Sequence, residues 1–478
     1  MDSIWTNLAG IRSDVHYGLG LVLAIIVTIH ILLRKREVAS AVGWIGLAWF
    51  APILGAASYF VLGINRVQRR ARRLRPTARR AGTRAPMPAA GGDDHLDPLA
   101  RGIGRITGRP LLAARAIRVL HNGDEAYPTM LEAIAAARHS VGLSSYIFRD
   151  DRWGTRFIDA LAAAKDRGVQ VRVLVDGVGS GWLRSPAYHH LVRRGITAAR
   201  FLHEVAPWRM PFLNLRSHKK ILVVDGRVGF TGGCNIADQN VIADTPESPV
   251  QDTHFRIEGP VVGQLTEAFA QDWAYATDED LDGDAWFPTI DDAIDDTDAA
   301  PARVIDSGPD DDLEKIEFAI LQAVACARTR IMVMTPYFLP DERLISGLSM
   351  AAMRGVTVDV IIPQTSDHVV IDWATRTNIG PLLQDGVRLW RSPPPFRHSK
   401  VMLVDDEWCL VGSCNWDIRS FRLNFELCLE FYDTALAADL TALLRRCQAN
   451  PLLQPEIEAR TVPVRLRDAA ARLALPYL

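Results

Sequence analysis

SHKKILVVD (217–225) and RHSKVMLVD (397–405) are two renderings of one pattern, and each runs on into the same ending. Spelled out, the pattern is His, one residue, Lys, four residues, Asp, six residues, Gly, a small residue, any residue, Asn. The first copy places His218, Lys220, Asp225, Gly232, Gly233 and Asn235; the second places His398, Lys400, Asp405, Gly412, Ser413 and Asn415. A lone His-x-Lys with a later Asp arises by chance in a modest fraction of chains. The extended pattern, met twice, does not.

The surroundings repeat as well. SVGLSSYIF (140–148), RGVQVRVLVD (167–176) and RRGI (193–196) precede the first copy, while RIMVMTPYF (330–338), RGVTVDVIIP (354–363) and QDGV (384–387) precede the second. Short β-type runs alternate with helical stretches such as RFIDALAAAKDRG (156–168). That alternation, repeated in order and spacing, predicts two duplicated α/β sandwich domains with mixed sheets, over 115–276 and 313–450, sharing one site on their pseudo-twofold axis. The Asp-rich stretch 277–312 reads as an acidic linker between them, and 451–478 as a C-terminal tail.

Ahead of the repeats lie two apolar runs, Tyr17 to Leu33 and Val38 to Leu62. A bilayer core takes about 20 apolar residues per helix, so residues 1–65 predict an N-terminal transmembrane helical hairpin; two buried core helices are the alternative. Arg34, Lys35 and Arg36 sit between the runs, and a larger set from Arg66 to Arg80 follows them. The larger set places both termini, and with them the catalytic halves, on the cytoplasmic side, while the loop charges pull the other way. Residues 66–114 form an Arg-rich juxtamembrane segment and linker, with an Ala/Gly/Pro-rich tether over 81–100; next to a bilayer its arginines attract anionic headgroups.

A net charge of −2 gives no support to a general nucleic-acid binder. Cys234, Cys326, Cys409, Cys414, Cys428 and Cys447 form no CxxC pair and no zinc-type cluster, which predicts reduced, structural thiols and a reducing compartment. No carboxylates or imidazoles at ligand spacing accompany the motifs, so neither a metal nor another cofactor is expected. Only six lysines stand among 54 basic residues, yet each motif keeps one.

The residue types suit phosphodiester chemistry. Residues two apart on a strand share a face, so each His and its Lys should project together. Imidazole attacks phosphorus when neutral and donates a proton when cationic, around a reference pKa of about 6.5. An ammonium and an Asn amide can hold non-bridging oxygens and stabilise a five-coordinate transition state. Gly-Gly or Gly-Ser should let the backbone approach the phosphate. Two histidines can then act on opposite sides of one phosphorus, one as nucleophile and one as acid. Cys234 and Cys414 read as small buried residues, and His189, His190 and His203 as ordinary polar ones. The apolar loop of Trp208, Met210, Phe212 and Leu213 reads as core packing or as a lip that dips into a membrane.

The doubled motif resembles the phospholipase D superfamily, and the stretches NLRSHKKILVVDGRVGFTGGCNIAD (214–238) and RHSKVMLVDDEWCLVGSCNWDIRSFRLNFE (397–426) resemble its bacterial cardiolipin synthase branch. The resemblance runs from the apolar hairpin, where Trp44, Pro52, Gly55, Tyr59 and Gly63 also match, to the terminal LALPYL. It implies His218 as nucleophile through a phosphohistidine and His398 as acid and then base, an order left open. Phosphate would be bound by Lys220, Lys400, Asn235 and Asn415. Asp225 and Asp405, though members of the catalytic motif, would be structural. Asp252 and Glu426 match acids that orient the histidines, with surface charge as the alternative. Two departures, IADQN after the first motif and Val250 where a Trp is common, bear on the acceptor and leave the motif intact.

The implied reaction moves a phosphatidyl group from one phosphatidylglycerol to another, giving cardiolipin and glycerol at a bacterial cell membrane. Because the motif does not encode the acceptor, hydrolysis of phospholipids remains open, with a nuclease or a non-catalytic scaffold further off. The hairpin and its arginines favour lipid over nucleic acid. Nothing in the sequence specifies an oligomeric state.

Overall fold

The computed structural model describes residues 2–34, 38–60, 94–203, 215–289, 299–309 and 312–474. Lys35, Arg36, the arginine run 66–80, the loop of Trp208, Met210, Phe212 and Leu213, and residues 290–298 of the acidic stretch lie outside them. The chain divides into two compact units, residues 1–73 and 74–478.

In the N-terminal unit the first apolar run belongs to a helix over Asp2–Arg34. The second run departs from the expected single span: it forms two short helices, Val38–Phe50 and Pro52–Ser58. The cause is local. Proline disfavours the helical region for the residue before it, and Ala51 sits at φ −139° and ψ 73°. The 13 residues of Val38–Phe50 rise only about 20 Å, short of the ~30 Å hydrocarbon core. No helix of the described residues is long and apolar enough to cross a membrane. The pieces are packed tightly where they meet, since a Cβ at Gly55 would lie 2.4 Å from the Leu47 carbonyl oxygen. Val27, Ile31, Ala48, Ala56 and Tyr59 form a small core, and the Tyr59 hydroxyl lies 2.8 Å from His30 Nδ1. Leu21, Val22, Ile25, Ile29, Leu32, Trp49, Phe50 and Leu54 remain exposed within this unit.

The larger unit is built on one sheet. Its first half supplies β1 (Leu112–His121), β2 (Ser140–Ser145), β3 (Gln170–Asp176), β4 (Thr197–Phe201), β5 (Arg216–Ser217), β6 (Ile221–Val224), β7 (Val228–Gly232), β8 (Val250–Gln251) and β9 (Thr253–Glu258). The second half supplies β10 (Ala300–Ser307), β11 (Arg330–Met334), β12 (Phe338–Leu339), β13 (Thr357–Pro363), β14 (Arg388–Ser392), β15 (Phe396–Arg397), β16 (Val401–Val404), β17 (Trp408–Gly412), β18 (Trp416–Asp417), β19 (Asn424–Tyr432) and β20 (Asn450–Leu452). From one edge the order is β4-β3-β2-β6-β7-β9-β1; from the other it is β20-β14-β13-β11-β16-β17-β19-β10. Apart from the added β20 the halves match strand for strand. They meet where β1 pairs antiparallel with β10, from Leu112↔Ala302 to Ala114↔Ala300. Along that order each half is mixed, parallel through β2/β3/β4 and β11/β13/β14 and antiparallel at its other pairings.

Helices cover both faces. Asn122–Ala136 and Arg152–Asp166 close one core in the first half, and Lys315–Cys326 and Glu342–Met353 close its counterpart in the second. A third core is shared: Phe255, Leu265 and Phe269 from the first half join Leu403, Leu429 and Leu440 from the second. Burying this face from both sides at once ties the repeats into one unit.

Three segments expected as linker, tether and tail are part of this fold. The acidic linker contains β10, buried along its whole length. Its polar residues disguise it: Arg303 is paired with Glu430 at 2.5 Å, and Asp306 with Arg109 at 3.3 Å. The tether through residue 100 becomes helical at Asp97–Thr107, whose Leu99 and Ile103 pack into the second half's core. The C-terminal tail forms a helix over Val462–Ala474 against Val369–Gln384, with buried Asp468 held by Arg460 and Arg467.

The motif aspartates belong to this framework. Asp225 follows β6 and accepts backbone N–H bonds from Arg138, His139 and Ser140 at 3.0, 2.7 and 2.9 Å. Asp405 does the same after β16 for Arg328, Thr329 and Arg330, at 2.8, 2.8 and 2.9 Å, and also meets His95 Nε2 at 2.9 Å. Five residue steps of extended chain, about 16 Å, separate each from its motif lysine. Replacing Asp225 or Asp405 by Asn should therefore lower unfolding free energy by about 1–3 kcal/mol, seen as a reduced thermal midpoint. Turnover per folded molecule should stay close to normal; a variant with unchanged stability and no activity would contradict this assignment.

Candidate active site

Two very short strands carry the histidines across to the opposite repeat. β5 runs parallel to the start of β19, with Arg216 opposite Asn424 and Ser217 opposite Phe425. β15 runs parallel to β8, with Phe396 opposite Val250 and Arg397 opposite Gln251. The His218 N–H then donates to the Phe425 carbonyl at 2.8 Å, and the His398 N–H to the Gln251 carbonyl at 2.7 Å. Each imidazole thereby lands beside a carboxylate of the other half. His218 Nδ1 is 3.0 Å from Glu426 Oε2, and His398 Nδ1 is 2.8 Å from Asp252 Oδ2. The ring centroids lie 6.2 Å apart with their planes at 80°.

The expected strand through His-x-Lys is instead a break between strands, since β6 and β16 begin only after the lysines. Both side chains still point inward. Lys220 Nζ donates to the His218 carbonyl at 2.6 Å, and Lys400 Nζ sits 2.8 and 2.9 Å from the two ring nitrogens of His398. Asn235 Oδ1 accepts the Ile147 N–H at 3.2 Å, so its amide nitrogen is the end available to a phosphate oxygen. Among the described residues Asn415 Oδ1 is buried without a hydrogen-bond partner.

Burial dominates the electrostatics. It brings His218 down to about 4, against the upward pull of Glu426. Burial and then Lys400 depress His398, opposed by Asp252. Burial and then Lys400 bring Lys220 to about 7, and burial brings Lys400 to about 8, held up by Asp252 and Glu426. Burial alone would raise both acids. Lys400 and His398 outweigh it at Asp252, and His218 and Lys220 outweigh it at Glu426, so both stay below the usual carboxylate range. The resting site is two neutral imidazoles, each with Nδ1 on an ionised carboxylate; Nε2 of His218 is left for chemistry, while Nε2 of His398 lies 2.9 Å from the Lys400 ammonium.

The motif glycine has a different use from the one expected. A Cβ on Gly233 would fall 2.1 Å from Asp252 Oδ1, so the missing side chain makes room for the acid rather than for phosphate. At the equivalent place Ser413 keeps a side chain, and its Oγ donates to Glu426 Oε2 at 2.6 Å. Cys234 and Cys414 are buried, and burial pushes both thiols well above their ordinary range. His190 pairs with Asp150 at 2.7 Å and His203 with the Trp182 carbonyl at 3.0 Å, outside the site.

Above the histidines opens a cavity of about 260 Å³, lined among others by Tyr146, Arg216, Tyr337, Asp367, Phe396 and Arg419. None of these six is a motif residue. Tyr146 packs its ring 4.9 Å from His218 and lies 5.3 Å from the Lys220 ammonium, while Tyr337 hydrogen-bonds Asp367 at 2.8 Å. Tyr146 and Tyr337 stand at the ends of SVGLSSYIF and RIMVMTPYF, beside the repeat signal but at non-equivalent positions within it.

Paired histidines with crossed carboxylates and two lysines over one cavity define a phosphodiester-transfer site of the phospholipase D type. The "Cardiolipin synthase, PLD-like domain" family matches residues 130–273 and 320–447, and the "Phospholipase_D-nuclease N-terminal" family matches 22–63. The chain belongs to the PLD-like cardiolipin synthase family. It is 30% identical to cardiolipin synthase 1 of Bacillus anthracis, over 94% of this chain and 91% of that protein. Cardiolipin synthase A of Pseudomonas aeruginosa is 32% identical, over 95% and 93%. Among solved structures, phosphatidylserine synthase of Haemophilus influenzae shares the fold at a TM-score of 0.60 and 16% identity, covering 80% of this chain and all of that one.

The lysine values set a pH dependence. A lysine whose pKa is lowered loses its charge as pH rises through that lowered value, so the free site sheds its ammonium charges at about 7 and about 8. Phosphate binding should weaken in that window, and kcat/KM, which reports free-enzyme ionisations, should fall above about pH 7. Initial rates at subsaturating substrate between about pH 6 and about pH 9 measure it. A flat profile would show that the lysines stay charged.

Proposed function

We propose that the protein is a membrane-associated phosphatidyltransferase that joins two phosphatidylglycerol molecules into cardiolipin and releases glycerol. The observation that carries this is the crossed seating of His218 on Glu426 and His398 on Asp252 over a single cavity. His398 takes up a proton as the anionic substrate binds; Nε2 of neutral His218 attacks phosphorus, the bond from phosphorus to the headgroup glycerol breaks, and protonated His398 gives the leaving oxygen that proton. A hydroxyl of the second phosphatidylglycerol then attacks the phosphohistidine, His398 accepts that hydroxyl's proton, and the bond from phosphorus to His218 breaks. Lys220, Lys400 and the Asn235 amide hold the non-bridging oxygens throughout. Lysines of this kind neutralise phosphate without a metal. Transfer is favoured over hydrolysis by the near full-length likeness to proteins named cardiolipin synthase.

The N-terminal unit suits a bilayer anchor at a bacterial cell membrane, with the catalytic unit on the cytoplasmic side. Its exposed leucines, isoleucines and Trp49 and Phe50 offer lipid an apolar surface, and the bend at Pro52 would set the second apolar run into the bilayer as an angled pair of helices.

Labelled phosphatidylglycerol with purified protein, followed by lipid mass analysis, separates cardiolipin from phosphatidic acid. His218→Ala and His398→Ala should each remove product, and the double variant should be no worse than either, because the two act as one unit. Near-normal turnover in either single variant would refute the two-histidine mechanism.

Deleting residues 1–65 should lower cardiolipin formation on vesicles and raise the share of phosphatidic acid, because acceptor lipid no longer outcompetes water. An unchanged rate and product ratio would place the acceptor preference wholly in the cavity.

A further inference from the structure

The catalytic groups obey the pseudo-twofold, but the cavity walls do not. Two residues before each motif histidine stand Arg216 in one half and Phe396 in the other. Their partners across the short parallel pairings differ in the same sense, Asn424 opposite Arg216 and Val250 opposite Phe396. Four residues beyond each motif asparagine stand Arg419 and Gln239. The twofold axis thus relates an Arg/Asn pair backed by a second arginine to a Phe/Val pair.

All of these residues line the cavity. The two guanidiniums are close enough to feel each other, and both face the Tyr146 phenol that packs on His218. The nearby acids direct carboxylate oxygens at backbone instead: Asp176 accepts the N–H groups of Val178, Gly179 and Ser217, and Asp417 that of Ser420. On the other wall Asp367 adds negative charge beside Tyr337. A second anion in this cavity is therefore drawn to one wall and repelled by the other.

The proposed reaction brings in such an anion. A phosphatidylglycerol acceptor carries its own phosphodiester, separated from its attacking hydroxyl by the three carbons of one glycerol, so that phosphate must lie beside the reacting one. We infer that Arg216 and Arg419, with Asn424, form a second phosphate subsite that holds the acceptor's phosphodiester while Lys220 and Lys400 hold the one undergoing transfer. Planar guanidiniums suit this task, because each can present two donors to a phosphate. The subsite rests on the phosphatidyl-transfer function proposed above and adds what selects the acceptor.

The test uses full-length protein, phosphatidylglycerol vesicles as donor, and labelled glycerol or labelled glycerol phosphate as competing soluble acceptors. Wild-type protein should favour glycerol phosphate by about tenfold or more, the scale of a charge-assisted contact. Arg216→Gln and Arg419→Gln should erase that preference through a higher KM for glycerol phosphate, with labelled glycerol incorporation within about twofold of wild type. Arg216→Lys and Arg419→Lys, which keep the charge, should restore part of it. Equal use of both acceptors by the wild type overturns the subsite while leaving phosphatidyl transfer intact. A parallel fall with both acceptors in folded Gln variants also overturns it, because the arginines would then serve the donor. Failure of the wild type to label any lipid would refute transfer itself, and the subsite with it.

Discussion

A buried imidazole presents its reactive nitrogen reliably only when the other nitrogen is fixed, and the group that fixes it must itself be held. Here that acceptor is never local. Glu426 lies on β19 of the second half and holds His218 of the first, while Asp252, just before β9 of the first half, holds His398 of the second. Neither repeat therefore supplies both members of a motif histidine–carboxylate pair. The exchange is enforced by backbone, through the short pairings of β5 with β19 and β15 with β8, and those require the halves to be in register. The β1–β10 join and the shared core supply that register far from the chemistry. Duplication thus explains more than two copies of a motif: each copy is made functional by the other.

Exact symmetry is broken where the two acids differ in length. The shorter Asp252 reaches His398 through space that only a glycine at 233 leaves open. The longer Glu426 comes past a side chain, and Ser413 fixes it by donating a hydrogen bond. A small residue at this place in the motif is thus matched to its acid: glycine with aspartate, serine with glutamate. Glu426 gains a second anchor from Asn424 Nδ2 at 3.1 Å, whereas Asp252 Oδ1 accepts the Thr253 N–H at 2.8 Å. The two histidines consequently sit in related but unequal fields, a condition for one to act as nucleophile and the other as acid and base.

The repeat and the motif were legible because they recur: two α/β halves with mixed sheets follow from the repeated flanking stretches, and all four His and Lys positions from comparing 217–225 with 397–405. The orienting acids were legible only through resemblance, and their crossing was not, because pairings of two residues leave no periodic trace. β10 was hidden by charge. Arg303 and Asp306 look solvated in sequence, and only their buried partners Glu430 and Arg109 allow a strand to run there. The break within the second apolar run was hidden for the opposite reason: its composition is uniform, and hydropathy gives no sign of the division made at Pro52. Arg216 and Arg419 sit next to motif residues, yet only the cavity makes them a pair.

Charge balance connects the resting geometry to the catalytic cycle. Lys220 and Lys400 face Asp252 and Glu426, so with both imidazoles neutral the buried site carries no net charge. A phosphodiester monoanion entering it disturbs that balance, and an uncompensated buried charge costs several kcal/mol. The natural correction is a proton on an imidazole, which raises the depressed pKa of His398 when an acid is needed and leaves it low otherwise. Once glycerol has left with that proton, phosphorylated His218 is a cationic ring bearing an anionic phosphoryl group, neutral as a whole. The site is again balanced with His398 uncharged, which is the form that can accept the incoming hydroxyl's proton. The same four buried charges thus favour the acid while substrate is bound and the base once the intermediate has formed.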